Sequence, residues 1–139
     1  MNTEKFDKIF ANLRKNLIEI RNSIFENKKP VNELSFNFDK NLQLELAKEL
    51  ANIFGYDFNI GRMDLSQHPF STGNGNDVRI TTRVDEKDPF NCFYSTIHET
   101  GHAIYEQKIP KEFIFTPNGN GVSMGVHESQ SRILSLIHI

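Results

Sequence analysis

The segment HETGHAIYEQ, residues 98–107, places two histidines four positions apart with a glutamate directly after the first. On an α-helix, residues four apart lie one above the other, so His98 and His102 can present two ring nitrogens to one metal ion. Glu99 is rotated by about 100° from His98 and can flank the ion without binding it. The pattern therefore predicts a hydrolytic metal centre with its own base. The alternative is an ordinary helix with two histidines on one face.

A catalytic zinc ion takes three protein ligands and keeps one position open for water. Zinc lowers the pKa of that water to about 7, and a carboxylate can take its proton and later return it to the departing amine. Glu99 is the natural base. The third ligand must come from elsewhere, and Glu128 is the favoured candidate because it follows a glycine-rich turn that can fold it back against the histidines. The other candidates are His68, His127, His138 and further downstream carboxylates.

Three further residues have side chains that can do chemistry, but a structural role is the commoner one for each. His127 points about 100° away from Glu128 on a helix, so we do not expect it to bind the same ion. A contact beside the metal site or with substrate is one alternative for His127, and a surface or packed histidine is the other. Cys92 is expected to be a small buried apolar residue. Arg79 can bind a substrate carboxylate, although an ion pair with Asp77 is the more common outcome.

Helices must carry most of these residues. Apolar spacings of three and four predict a first helix over residues 6–27, and a second is predicted from Asp39 as N-cap to Gly55 at its C-terminal end. Asp88 followed by Pro89 predicts the start of the helix that contains HETGH, and VHESQSRILSLI predicts a final helix. Residues 78–83, VRITTR, alternate like a half-buried strand, whereas residues 56–77 read as a loop with a short extended piece at HPF. The fold class is thus mainly α-helical with a small β-sheet.

Gly101 lies in the middle of the helix that contains the two histidines. A glycine at such a position destabilises a helix by roughly 0.5–1 kcal/mol relative to alanine. Its presence predicts that another element approaches the helix closely at this point.

Composition limits the range of functions. The 139 residues are 37% apolar and 24% charged, which is typical of one globular domain. A net charge of −2 without a basic patch argues against nucleic-acid binding. The single cysteine fits the reducing cytoplasm. A membrane role is not expected, since no apolar run approaches the roughly 20 residues that span a bilayer and the N-terminus lacks the apolar core of a signal peptide.

Four separate segments, in this order and spacing, give a resemblance to a known family. HPF at 68–70, DVRITTR at 77–83, HETGHAIYEQ at 98–107 and MGVHESQSR at 124–132 resemble the carboxypeptidase Taq family of metallocarboxypeptidases. The resemblance covers most of residues 39–132, including FGYDFNIGRMDLS ahead of HPF.

The resemblance implies one zinc ion, with cobalt as a substitute, bound by His98, His102 and Glu128, and Glu99 as general base. It implies a mostly helical fold in which a small sheet lies beside the zincin-like HExxH helix. It further implies release of single C-terminal amino acids from peptides with broad specificity, proline excepted, by a cytoplasmic homodimer. An HExxH aminopeptidase or endopeptidase, or a non-catalytic helical interaction module, are the alternatives.

The chain departs from the family in extent. Family members are several times longer and carry further motifs, including the positions that bind the substrate carboxylate. We therefore interpret residues 1–139 as a partial catalytic domain, truncated at both ends, and expect it to hydrolyse peptides poorly or not at all on its own. After Arg132 the sequence ILSLIHI leaves the family pattern, and residues 133–139 are interpreted as a foreign or frayed tail.

Overall fold

The computed structural model describes residues 3–27 and 36–136 of the chain. The chain divides into two compact units, Met1–Leu34 and Ser35–Ile139. The described part of the first unit is a helix, α1 (Thr3–Glu26), which confirms the first predicted helix. The apolar residues whose spacing predicts this helix, from Phe6 to Ile24, are exposed.

The second unit combines three helices with a small sheet. Its elements run in the order α2 (Lys40–Ile53), β1 (Gly61–Leu65), β2 (Ser71–Asn74), β3 (Asp77–Thr82), α3 (Pro89–Gln107) and α4 (Met124–Leu136). The predicted fold class, mainly helical with a small sheet, is confirmed. Within the described ranges, no helix has the length and apolar character required to cross a bilayer.

The predicted caps fix the ends of α2 and the start of α3. The carboxylate of Asp39 accepts hydrogen bonds from the backbone N–H groups of Asn41 and Leu42 at 2.8 and 3.0 Å. Gly55 follows α2 with a φ of 98°, a conformation in which a Cβ would be strained. Asp88 accepts from the N–H of Asn91 at 3.3 Å, one turn into the helix that begins at Pro89. Local side-chain chemistry therefore sets where the helix of the HETGH segment begins.

The sheet has the strand order β1-β3-β2, with β1 parallel and β2 antiparallel to the central strand. The predicted strand corresponds to β3, where Val78, Ile80 and Thr82 are buried as the alternation predicts. The prediction that residues 56–77 form a loop with only a short extended piece at HPF is wrong, because β1 and β2 lie there. Both strands are short and polar, and Met63 is their one buried residue, so periodicity gives little signal. HPF itself ends directly before β2.

The helix α3 packs against the sheet on one side and against α4 on another. Cys92 and Ala103 belong to its buried face, and Cys92 is the small buried residue that we expected. A Cβ built on Gly101 would lie 2.5 Å from the Cα of Ser131 in α4. The close approach predicted from this glycine is thus confirmed, and it brings the backbone of α4 alongside the two histidines.

The last residues that the structure describes belong to α4. Residues 133–136, expected to belong to a foreign or frayed tail, are helical, and Ser135 is only 9% exposed. Residues 137–139, with the candidate ligand His138, lie outside the described residues.

Candidate metal centre

The junction of α3 and α4 brings together the three residues predicted as metal ligands. One nitrogen each from His98 and His102 and one carboxylate oxygen of Glu128 all lie within 4.8 Å of one another. Oε2 of Glu128 is 3.2 Å from Nε2 of His102 and 3.8 Å from Nε2 of His98. Two imidazoles and one carboxylate that converge in this way match the ligand set of catalytic zinc sites.

Arg132 orients the carboxylate of Glu128. Its Nε donates to Oε1 of Glu128 at 2.7 Å, one turn along α4, while Oε2 faces the histidines. This hydrogen bond is the main reason that the pKa of Glu128 lies below its usual value. The carboxylate is therefore ionised and held with one oxygen directed at the candidate site, as a metal ligand must be.

Burial keeps the two histidines neutral. It is the largest cause of the lowered pKa of both His98 and His102. For His102, the neighbouring imidazoles of His127 and His98 lower the pKa further. A metal binds the lone pair of a neutral imidazole, so these environments favour the form that can act as a ligand. The donor chemistry of the three residues therefore fits a divalent cation.

Glu99 occupies the buried side of α3 next to this cluster and is 9% exposed. Burial, and secondarily the negative charge of Glu128, raises the pKa of Glu99 to about 7. A carboxyl group in this range can both accept and return a proton near neutral pH. A nearby divalent cation would favour its ionised form.

Three contacts at the cluster were not predicted as specific pairs from the sequence. Nδ1 of His102 lies 2.6 Å from Nδ1 of His127, and Nε2 of His127 lies 2.7 Å from Oε1 of Glu106. Nδ1 of His98 lies 3.5 Å from the hydroxyl of Ser135. The sequence signal for Glu106 is its spacing, four residues after His102 on the same helix.

The remaining candidate residues lie outside the cluster. Arg79 forms an ion pair with Asp77 at 2.8 Å, the structural outcome that we considered more common. His68 is exposed and is not part of the metal-binding group found among the described residues. The structure therefore gives no site role to either residue.

Sequence comparison identifies the family. Residues 1–137 match the family model described as carboxypeptidase Taq (M32) metallopeptidase. The chain belongs to this family. This M32 chain is 44% identical over 128 residues to carboxypeptidase 1 of Bacillus subtilis. The match covers 90% of the chain and 26% of that protein. It is 54% identical over 92 residues to thermostable carboxypeptidase 1 of Thermus thermophilus, covering 65% of the chain and 18% of the relative.

Solved structures show the same relationship for the M32 chain. The crystal structure of the M32 carboxypeptidase from Deinococcus radiodurans superimposes with a TM-score of 0.91 at 45% identity, covering 99% of this chain and 28% of that one. Metallocarboxypeptidase 1 of Trypanosoma cruzi gives a TM-score of 0.85 at 35% identity, with 99% and 29% covered. The chain thus spans little more than a quarter of the length of these relatives.

Proposed function

We propose that this chain is the metal- and base-bearing part of a zinc-dependent metallocarboxypeptidase. The enzyme would release single amino acids from the C-terminus of peptides, with broad side-chain tolerance and proline excepted. The observation that carries the proposal is the convergence of His98, His102 and Glu128, whose ligand atoms lie within 4.8 Å of one another next to the buried Glu99. Membership of a metallopeptidase family supports it.

Each residue has a defined role in this proposal. His98 and His102 from α3 and Glu128 from α4 would hold one zinc ion, or cobalt in its place. When bound, the metal supplies a positive charge that polarises the scissile carbonyl and lowers the pKa of water. Glu99 takes a proton from the attacking water on its carboxylate and returns it to the departing amine.

The direction of attack rests on the names of the relatives, which are carboxypeptidases. An aminopeptidase or endopeptidase could use the same ligand set and base, so the substrate's free terminus must be tested. A cytoplasmic location and a homodimer are also part of the proposal, the first supported by the single cysteine and both by the family resemblance.

Metal binding tests the ligand set directly. Titration of the chain with zinc should give about one ion bound per chain, because the described residues contain one cluster of three ligands. His98→Ala and Glu128→Ala should each weaken zinc binding by more than about 100-fold, since loss of a mere supporting partner already weakens it 10–100-fold. His68→Ala is the matched control, because this exposed histidine lies outside the cluster and its removal should leave the affinity unchanged. Unchanged affinity in Glu128→Ala would identify a different third ligand.

Blocking one substrate terminus at a time tests the direction of attack. We suggest a chimera in which this chain replaces the matching 128-residue segment of the Bacillus subtilis relative. It should release amino acids one by one from an N-acylated peptide, and amidation of the peptide's C-terminus should suppress the release. The isolated chain should act poorly, because the segments that position the substrate in the longer relatives are missing from it. Equal cleavage of the amidated peptide would contradict a carboxypeptidase.

A further inference from the structure

A row of three side chains leads away from the candidate metal centre. Nδ1 of His102 faces Nδ1 of His127 at 2.6 Å, and Nε2 of His127 faces Oε1 of Glu106 at 2.7 Å. The two ring centroids are 4.8 Å apart, so the facing nitrogens lie almost on the line between the rings, in an edge-to-edge arrangement. His102 and Glu106 stand one turn apart on α3, and His127 of α4 bridges them.

The carboxylate of Glu106, at the end of the row away from the metal centre, fixes the direction of the hydrogen bonds. A carboxylate is an acceptor only, so the proton between His127 and Glu106 belongs to Nε2 of His127. In a neutral imidazole the other nitrogen is then an acceptor, so Nδ1 of His127 can only accept. The proton between the two rings must therefore come from Nδ1 of His102.

This direction matters because the other nitrogen of His102 is the one that faces Glu128. With its proton on Nδ1, His102 has a free lone pair on Nε2, the atom that lies 3.2 Å from Oε2 of Glu128. If His127 donated to His102 instead, His102 would carry its proton on Nε2 and could not bind a metal there.

We propose that Glu106, acting through His127, holds the proton of His102 on Nδ1 and so keeps Nε2 of His102 ready for the metal. Glu106 and His127 are positioning residues, since neither belongs to the ligand cluster. The inference rests on the metal site proposed above. Glu106 and His127 would select the tautomer of His102, one of the three ligands. Hydrogen-bond partners on the outer nitrogen of metal-binding histidines commonly have this role.

A competing arrangement exists before metal binds. Nε2 of His102 can donate its proton to Glu128 across 3.2 Å, which would place the proton on the wrong nitrogen. Two hydrogen bonds of 2.6 and 2.7 Å, one of them to a carboxylate, favour the opposite tautomer more strongly than this one longer contact. Burial of the row strengthens this preference, since only 18% of the Glu106 side chain and 21% of the His127 side chain are exposed.

The tautomers can be read directly in the metal-free chain. Long-range proton–nitrogen correlation spectra of the ¹⁵N-labelled protein should show His102 protonated on Nδ1 and His127 protonated on Nε2. The variant Glu106→Gln keeps the shape of the side chain but can turn an N–H₂ donor toward His127, which removes the preference for one direction. We expect part or all of the His102 signal to change to the Nε2-protonated form in this variant. A wild-type His102 protonated on Nε2 would overturn the proposal.

Zinc affinity provides the second measurement. Competition with a chelator should show binding of zinc alone weakened about 10–100-fold in Glu106→Gln, with the thermal unfolding midpoint of the metal-free chain close to wild type. His127→Asn should bind zinc more tightly than His127→Phe, because the asparagine oxygen can still accept the Nδ1 proton of His102. Glu45→Gln, at an exposed position on α2, is the matched control and should change nothing.

The results separate this inference from the proposed metal site. Wild-type zinc affinity in Glu106→Gln, or equal affinities of the two His127 variants, would overturn the positioning role even if the chain binds zinc. Absence of zinc binding by the wild-type chain would instead refute the proposed function, and the tautomers of the metal-free chain would then decide the proton direction alone.

Discussion

The α3–α4 junction and the three-stranded sheet both carry charged residues of the recognised motifs, but they use them differently. In the sheet, Arg79 pairs with Asp77 two residues away on the same strand, and about half of each side chain is exposed. At the junction, the close approach at Gly101 brings Glu128 of one helix to His102 of the other, and only 18% of the His102 side chain is exposed. An ion pair between neighbours on one strand balances its own charges. The packing of α3 on α4 instead brings a carboxylate and two imidazoles together, and a cation can bind between them.

The carboxyl groups of the two regions also differ in the direction in which their pKa is shifted. The pKa of Asp77 is lowered, chiefly by its hydrogen bond from Arg79, so this carboxylate is simply held in its charged form. Burial raises the pKa of Glu99 to about 7. Perturbation of this kind, by burial combined with a specific neighbouring charge, marks functional sites more often than exposed ion pairs do.

The largest effect is expected where the two helices touch. In Gly101→Ala the new Cβ would lie 2.5 Å from the Cα of Ser131, so backbone must move. Overpacking of about 1–3 kcal/mol outweighs the roughly 0.5–1 kcal/mol that alanine gains in a helix, and the variant should be less stable by roughly 1–2 kcal/mol in chemical denaturation. Zinc affinity should fall as well, because separation of the helices draws Glu128 away from the histidines.

Gly125→Ala is the matched control for this substitution. Its Cβ would meet only the hydroxyl of Ser123, at an ordinary contact distance of 3.8 Å. Its stability and zinc affinity should remain at wild-type levels. Equal effects of the two substitutions would show that close helix packing does not build the site.

A smaller effect is expected beside the sheet, at Tyr56. Its hydroxyl donates to the carbonyl of Val78 at 2.6 Å, and burial raises its pKa to about 12. Tyr56→Phe should lower the free energy of unfolding by about 1 kcal/mol, the usual net contribution of a buried hydrogen bond, while zinc affinity stays unchanged.

The pH dependence of Tyr56→Phe gives an independent check. Below the ordinary tyrosine pKa of 10.0 the phenol is protonated in both the folded and the unfolded chain, so it adds no pH dependence. Between that pH and about 12 the unfolded chain loses the proton while the folded chain keeps it, so the stabilisation by Tyr56 falls as pH rises. The stability difference between wild type and variant should shrink across this window, and a constant difference would contradict the account.

The smallest effect is expected at the exposed ion pair of the sheet. Arg79→Ala should unfold at the same denaturant concentration as wild type, because exposed pairs of this kind contribute little to stability.

Arg132→Ala is the counterpart at the junction of α3 and α4. It should weaken zinc binding about 10–100-fold, because it frees the carboxylate of Glu128. A zinc affinity lowered equally by both substitutions would remove the distinction between the two regions.

The main parts of the fold could be predicted where signals are local. Asp39, Gly55 and Asp88 act within their own turns of the chain, so the two predicted ends of α2 and the predicted start of α3 are confirmed. The strands β1 and β2 could not be predicted, because each depends on pairing with β3 and has almost no apolar alternation of its own.

The candidate site divides in the same way. The spacing of His98 and His102 on one helix is enough to predict their convergence, and the glycine-rich turn before Glu128, together with the family resemblance, points to Glu128 as the third residue. The contact from Glu106 to His127 was missed because it joins residues twenty-one positions apart and depends on how α4 lies on α3. His127 is not among the three converging ligands, and the angular argument did not show that its ring reaches the outer nitrogen of His102.

Substitution of the proposed base tests the central claim most directly. In the chimera that releases C-terminal amino acids, Glu99→Gln should bind zinc as tightly as the parent, because Glu99 is not one of the three converging ligands. Its hydrolysis of the N-acylated peptide should fall by at least about 100-fold, since an amide cannot accept the proton of water. Retained zinc with lost hydrolysis is the result predicted here. Loss of zinc, or hydrolysis close to the parent rate, would contradict the assignment of Glu99 as the base beside a metal held by His98, His102 and Glu128.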